Sequence, residues 1–149
     1  MYPWWALSIR DFGKPAENRG WRPPEQMIGE RIAIHAGVRQ ATKDDLDSWL
    51  GTIEYAGRAW ILGGRLVTRI DPWERDDRAL LRAAIAEVAG RVICTARLVG
   101  VDRDQRTPWD VEGQWHWRLA DVERVEGQPP VKGQLGLWDW QPDGEVERG

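Results

Sequence analysis

The amino-acid sequence predicts an α+β domain, namely a small mixed β-barrel flanked by helices. Two observations carry this prediction. Helical patterns stand among several short strands, and the strands lack the crossover helices that a doubly wound sheet requires. In addition, a chain of 149 residues is long enough to build one domain with a proper core. We expect this domain to span residues 1–142, with a helical insertion at about 38–90 and an acidic C-terminal tail at 143–149.

Three stretches have the pattern of α-helices. Residues 3–12 begin with a proline that suits the first helical turn, and Gly13 suits the left-handed position after a helix. Residues 42–50 begin with Thr42 as an N-cap and stop before a glycine. Residues 76–89 have apolar side chains at helical spacing and end before another glycine.

Four further stretches are predicted to be β-strands, because they alternate polar and apolar residues or are rich in β-branched residues. They are residues 29–36, 91–101, 114–122 and 134–140. Gly100 is expected to mark a β-bulge in the second of them. Residues 51–72 are ambiguous between a connecting loop and a loop that carries a hairpin.

Composition limits the classes of protein that the chain can belong to. Charged residues make up 30% and hydrophobic residues 42%, and no apolar run approaches the roughly 18 residues of a membrane span. The N-terminus lacks the pattern of a secretory signal. The single cysteine, Cys94, lies in an apolar run and is expected to be buried. We therefore expect a cytoplasmic protein without a membrane partner.

The chain is rich in tryptophan and arginine. It has 11 Trp against one Phe and two Tyr, and only three of its 21 basic residues are lysine. Guanidinium planes suit phosphate contacts and stacking better than ammonium groups do. The net charge is -3, and basic residues exceed acidic ones in residues 1–40 but not in 121–149. Any nucleic-acid site is therefore expected to be local and to favour the N-terminal half, while most of the indoles belong in the core.

The strongest local signal lies in residues 13–21, which read Gly-Lys-Pro-Ala-Glu-Asn-Arg-Gly-Trp. The segment can hold a small planar polar group, with ionic partners at its edge and an aromatic face above it. The alternative is a surface turn with an ordinary set of salt bridges. The candidate binding residues of this cluster are Lys14, Glu17, Asn18, Arg19 and Trp21.

Two other segments place indoles beside cations, as a base-stacking, phosphate-tracking surface requires. In the strand predicted at 114–122, Trp115 and Trp117 share one face, while His116 and Arg118 share the other. The third segment begins at Lys132 and enters the strand predicted at 134–140. Trp115, His116, Trp117 and Lys132 are the candidate residues of the second wall of the site.

Other kinds of chemistry have little support in the sequence. It contains no glycine-rich phosphate loop and no paired cysteines, and its two histidines, His35 and His116, have no recognisable metal-ligand spacing. Ser8 and Ser48 lie inside predicted helices without a nucleophile-elbow motif. We expect neither a metal nor a cofactor.

Five segments together resemble the ASCH domains of small bacterial and phage proteins. The opening Pro-Trp-Trp-Ala is followed by the Lys-x-x-Glu-x-Arg-x-Trp pattern and by a glycine-led strand that ends Ile-His-Ala. The segments Gly-Gln-Trp-His-Trp and Lys-Gly-Gln-Leu-Gly-Leu-Trp also match. They lie at residues 3–6, 13–21, 29–36, 113–117 and 132–138, and leave about 38–90 unmatched. Here Gly13 and Lys14 are adjacent, where many members have one residue between them.

The resemblance implies a PUA-like β-barrel with a cleft in which Lys14, Glu17 and Arg19 face the barrel. Family members are thought to bind RNA or modified nucleotides there. Some similar proteins are amidohydrolases that act on N4-acetylcytidine through a lysine, a threonine and a glutamate. Lys14 matches that lysine, but Glu17 stands where the threonine is expected, and residues 91–101 contain no glutamate. These departures weaken the enzyme hypothesis.

Three functions follow as hypotheses. The first is a module that binds RNA, another single-stranded nucleic acid or a modified nucleotide in a basic and aromatic cleft. The second is a hydrolase of a modified nucleoside, or a ribonuclease-like enzyme, with Lys14 and Glu17 as catalytic residues. That hypothesis needs a depressed lysine pKa, which a neighbouring carboxylate opposes. The third is a protein-interaction module whose cleft is only a salt-bridge network.

Overall fold

The computed structural model describes residues 1–56, 60–62, 65–67, 75–134 and 137–143. These residues form a mixed α+β fold with three α-helices and a four-stranded antiparallel sheet that curls into a half-barrel. In chain order the elements are α1 (Pro3–Asp11), β1 (Ala16–Arg19), a 3-10 turn (Glu25–Met27), β2 (Arg31–His35), α2 (Lys43–Tyr55), β3 (Trp60–Leu62), β4 (Arg65–Val67), α3 (Arg75–Val88), β5 (Val92–Asp102) and β6 (Trp115–Arg124).

The main sheet has the strand order β1-β6-β5-β2, so β1 and β2 are its edges. In the β1–β6 ladder, Glu17 lies opposite Trp117 and Arg19 lies opposite Trp115. Because partners in an antiparallel pair project to the same face, these four side chains share one face of the sheet. A separate two-stranded hairpin is formed by β3 and β4.

The three predicted helices are confirmed, with one change in length. Helix α2 begins at the predicted cap, where Thr42 accepts a hydrogen bond from the backbone N–H of Asp45 and the Asp45 side chain accepts one in return. It continues through Gly51 to Tyr55 because its apolar face extends to the fully buried Ile53, and this burial offsets the roughly 1 kcal/mol cost of a helical glycine. No described helix is long and apolar enough to cross a bilayer.

The strands predicted at 29–36, 91–101 and 114–122 are confirmed as β2, β5 and β6. The register of β5 against β6 shifts between Leu98 and Gly100, which confirms the bulge, and shifts again between Thr95 and Arg97. Within the ambiguous stretch 51–72 the described residues form the end of α2 and the β3–β4 hairpin. Residues 57–59, 63–64 and 68–74 lie outside the described part of the chain.

One prediction of local structure is wrong, and one strand lies where the sequence predicted no element. Residues 16–19 form the edge strand β1, because their partners on β6 supply a ladder that local sequence cannot reveal. The strand predicted at 134–140 is not formed by its described residues, 134 and 137–140. Side chains hold this segment instead: Trp138 packs edge-on against His35 at 5.7 Å, and Gln128 exchanges two hydrogen bonds with the backbone of Asp143.

The core lies between the sheet and the helices. Helix α1 packs on β2, β5, β6 and α3. Among the described tryptophans, Trp4, Trp49, Trp109 and Trp117 are buried in the core, and Trp5 and Trp115 are partly buried against it. The expectation that most indoles are core is therefore met only in part. Cys94 is also buried, as predicted, and burial raises the pKa of its thiol to about 12. A buried thiol with this pKa stays protonated and unreactive.

Ser8 links two helices inside the core. Its hydroxyl donates to the Trp4 carbonyl at 2.7 Å and accepts from Trp49 Nε1 at 2.8 Å. We predict that Ser8→Ala lowers the free energy of unfolding by about 1–3 kcal/mol, because the buried indole N–H loses its acceptor. Urea unfolding measures this change. The exposed Ser48→Ala is the matched control, and an equal effect of the two variants would contradict the assignment.

Candidate functional site

The candidate site begins where α1 ends. Gly13 adopts a left-handed φ of 70°, which turns the chain out of the helix, and the Lys14 N–H donates to the Ser8 carbonyl at 3.1 Å. Strand β1 starts two residues later. Its alternation places Glu17 and Arg19 on the face that also carries Trp115 and Trp117.

Glu17 lies between two cations. Its Oε2 is 3.7 Å from Lys14 Nζ, and its Oε1 is 3.0 Å from Arg19 Nε. Lys14 Nζ also lies 5.1 Å from the ring centroid of Trp5. Lys14 and Glu17 are only 4% and 8% exposed, whereas the Arg19 side chain is 35% exposed. Arg19 is therefore the member of this ion network that meets solvent most directly.

Burial dominates the electrostatics of Lys14. It lowers the pKa of the amine from its ordinary value of 10.5, and the charge and hydrogen bond of Glu17 offset only part of this effect. The carboxylate of Glu17 by itself opposes a depressed pKa of Lys14, as expected from the sequence. The structure adds desolvation, which reverses the net direction.

Two cavities meet at Glu17 and Arg19, which line both of them. The first, here called the sheet cavity, has a volume of about 610 Å³ and lies against the face of the sheet. The second, here called the loop cavity, has a volume of about 800 Å³ and lies between α1, α2 and the loop at 103–114. Other residues of the sheet cavity include Trp21, Arg31, His35, Trp117, Trp138 and Trp140; those of the loop cavity include Trp5, Lys14, Asn18, Arg39, Trp109 and Asp110.

The indoles of the sheet cavity are held by specific contacts. Trp21 meets Trp117 edge-on, with ring centroids 4.8 Å apart and planes at 89°, and Trp117 Nε1 donates to the Trp21 carbonyl at 3.1 Å. Trp117 is buried, while Trp21 is 40% exposed. The buried ring thus fixes an exposed one, and the surface of Trp21 is available for stacking.

Asn18 and His116 point away from this face and stabilise the loop at 103–114. Asn18 Nδ2 donates to the Trp109 carbonyl at 2.9 Å, and its Oδ1 accepts from the Val111 N–H at 3.2 Å. The same oxygen accepts a hydrogen bond of 2.8 Å from His116 Nδ1, because an amide oxygen has no proton to donate. His116 is fully buried, and its Nε2 has no hydrogen-bond partner among the described residues.

Arg118 also anchors the loop at 103–114, through hydrogen bonds to two carboxylates. It binds Asp102 through two hydrogen bonds of 2.7 and 3.0 Å and binds Asp110 at 2.8 Å. The hydrogen bonds from Arg118 lower the pKa of Asp102 to about 2. Burial alone would raise the pKa of Asp110, but hydrogen bonds from the backbone of residues 106 and 107 and from Arg118 make the net change a lowering.

The remaining candidates are Trp115, which lies opposite Arg19 in the β1–β6 ladder, and Lys132. Trp115 is half-buried, and the guanidinium carbons of Arg22 and Arg103 lie 4.9 and 5.2 Å from its ring centroid. Lys132 is exposed on the extended C-terminal segment and is not among the residues that line either cavity. The structure therefore brings Lys14, Glu17 and Arg19 together, places Trp21 and Trp117 beside them, and leaves Lys132 outside.

Comparisons with models of known protein families, with curated proteins and with solved structures found no match. Within the described residues, no group of three or more His, Cys, Asp or Glu side chains is arranged to hold a metal ion. Sequence reasoning missed Trp5, Trp109 and Arg31 as cavity residues. Trp5 lies in a predicted helix, Arg31 in a predicted strand and Trp109 in a predicted loop, and none of these local patterns indicates a cavity.

We predict that Asp102→Asn lowers the free energy of unfolding by about 2 kcal/mol at neutral pH, because the carboxylate loses its charge-assisted bonds to Arg118. The folded-state pKa is depressed from 3.8 to about 2, so the stabilisation is complete above pH 3.8 and is lost as the pH falls through 2. Urea unfolding at several pH values tests this. Asp104→Asn, which removes an exposed carboxylate, should change stability little. A difference that persists unchanged at pH 2 would refute the assignment.

We also predict a pH effect from Lys14. Its folded-state pKa lies below 10.5, so between that pKa and 10.5 the unfolded chain binds more protons than the folded one. The stability of the wild type should therefore rise with pH in the alkaline range, relative to Lys14→Met. Lys132→Met serves as the exposed control. Parallel stability curves for wild type and Lys14→Met up to pH 10.5 would contradict the prediction.

Proposed function

We propose that the protein binds a nucleobase at the cavity wall formed by Glu17 and Arg19, here called the Glu17–Arg19 wall. The base belongs to RNA, to another single-stranded nucleic acid or to a modified nucleotide. The observation that carries this proposal is the position of Glu17, a nearly buried carboxylate held between Lys14 and Arg19 beside the indoles of Trp21 and Trp117. This combination offers an acceptor, donors and an aromatic face within one cavity wall.

Each group has a chemical task in this proposal. A carboxylate has about four lone-pair sites, so Glu17 can accept from an exocyclic amine while it keeps its two cations. The half-exposed Arg19 can donate to a carbonyl or phosphate oxygen. Trp21 can stack on the base, an interaction worth about 1–3 kcal/mol. Lys14 is too buried to contact a large ligand directly, and we assign it the role of holding Glu17 in place.

The curled antiparallel sheet flanked by helices is compatible with a PUA-like barrel, and the five sequence segments resemble ASCH domains. We include membership of this group in the proposal. Membership implies a cleft in which the Lys-x-x-Glu-x-Arg segment faces the barrel. The position of Glu17 and Arg19 at a cavity on the sheet agrees with this. The structural role of Asn18 in the loop does not conflict with it, since Asn18 projects to the opposite face of β1.

One observation favours a hydrolase as the second candidate. Burial lowers the pKa of Lys14, which increases the fraction of neutral amine beside a carboxylate that can move a proton. Such a pair could activate water to cleave the amide of an acylated nucleoside into a carboxylic acid and the free amine. Chromatography of N4-acetylcytidine incubated with the protein tests this directly. Turnover that Lys14→Met abolishes with the fold intact would establish the enzyme.

The binding proposal is tested by titrating the protein with ribonucleosides, including modified ones, and with single-stranded RNA, using tryptophan fluorescence and calorimetry. Glu17→Gln and Trp21→Ala should each weaken binding about tenfold or more, because each removes an interaction worth about 1.5–3 kcal/mol. The matched controls are Glu25→Gln, an exposed carboxylate, and Tyr55→Ala, an 81% exposed aromatic ring on α2. Absence of binding to every probe, or equal losses in the controls, would overturn the proposal.

A further inference from the structure

A second cluster lies at the open end of the β1–β6 ladder, outside the ion network. Trp115 pairs with Arg19 across the ladder, two residues before Trp117 on β6, and its side chain lies on the same face of the sheet. The guanidinium carbons of Arg22 and Arg103 lie 4.9 and 5.2 Å from the centroid of its ring. Arg22, Trp115 and Arg103 are called here the Arg–Trp–Arg cluster.

Within the part of the chain that the structure describes, the two guanidiniums of this cluster have no acidic partner. Among the described residues, neither Arg22 nor Arg103 has a carboxylate within 4.0 Å, whereas Arg19, Arg106 and Arg118 each have at least one. Both arginines are exposed. Two uncompensated positive charges beside one indole form a local anion-attracting surface on a molecule whose net charge is -3.

The cluster is also held in position. Arg103 Nη2 donates to the Gly113 carbonyl at 2.7 Å, which leaves its other N–H groups free to bind a ligand. The loop that carries Arg103 is anchored through Arg118 and Asn18. Arg22 precedes two prolines, the first of them buried, so its backbone has little freedom. A preorganised pair of guanidiniums loses less entropy on binding than two mobile side chains do.

We infer that the Arg–Trp–Arg cluster binds the phosphodiester backbone of a single strand whose base occupies the Glu17–Arg19 wall. The inference rests on the proposed function and extends it, since it selects a nucleotide within a chain over a free nucleoside. Planar guanidinium forks match phosphate oxygens in bidentate geometry. Trp115 holds the two arginines next to Arg19, so a strand that leaves the base site on that side meets them directly.

The test compares wild type with the double variant Arg22→Gln/Arg103→Gln. The matched control is Arg97→Gln/Arg124→Gln, which removes the same charge from exposed arginines that line neither cavity. The probes are a mixed-sequence single-stranded RNA of about 12 nucleotides, the free nucleosides, inorganic phosphate and polyglutamate. Affinities are measured between about 50 and 200 mM salt, and circular dichroism confirms that each variant is folded.

We expect the double variant to bind the RNA about tenfold or more weakly, with the slope of log affinity against log salt reduced by about 1.4, because two backbone contacts are lost. Its affinity for free nucleosides should change less than about twofold. Inorganic phosphate should compete only weakly, since it lacks the adjoining base.

Several results would overturn the inference. An unchanged RNA affinity and salt slope in the double variant would do so, as would an equal loss in the control. Polyglutamate binding as tight as that of RNA, and lost in the same variant, would make the cluster a site for acidic peptides instead. If nucleoside binding depends on Glu17 but the double variant binds RNA as tightly as the wild type does, this inference alone would be rejected. No binding to nucleosides or RNA would reject the proposed function with it.

Discussion

The pairing of β1 with β6 is the constraint on which the rest of the site depends. This short ladder places Glu17 and Arg19 beside Trp117 and Trp115 on one face of the sheet. On the other face it places Asn18 beside His116, where both contribute to the anchoring of the loop at 103–114. The four-residue edge strand β1 therefore positions Glu17 and Arg19 of the ion network and, through Asn18, anchors the loop that borders it. A shift of register by one residue would exchange the two sets of side chains and abolish both.

Desolvation is the second organising effect. Lys14 and Glu17 are nearly buried, and such charges persist in a protein interior only when each compensates the other. Glu17 has Arg19 as an additional partner at the solvent edge. The network therefore runs from a buried amine with a lowered pKa to a guanidinium in contact with water. A single carboxylate, Glu17, thus connects the buried amine to the partly exposed guanidinium.

The sequence predicted the elements whose signals are local. The capping residues of α2, the apolar spacing of α3 and the β-branched run of β5 all lie within a few consecutive residues, and each prediction was confirmed. Strand β1 could not be found in the same way, because four residues with three charged or polar side chains become a strand only through their distant partners. The spacing in the sequence predicted that Lys14, Glu17 and Arg19 lie together. The anchoring of Arg118 by Asp102 and Asp110 was not, because a β-bulge and a loop bring those carboxylates into reach.

Glu17 and Arg19 form a common wall between the sheet cavity and the loop cavity. A ligand in either cavity that hydrogen-bonds to Glu17 or Arg19 would change the electrostatic field at a ligand in the other cavity. Two such ligands would be thermodynamically linked, and by reciprocity each would change the affinity of the other by the same factor. The shared ion pair would supply this coupling through its electrostatic field.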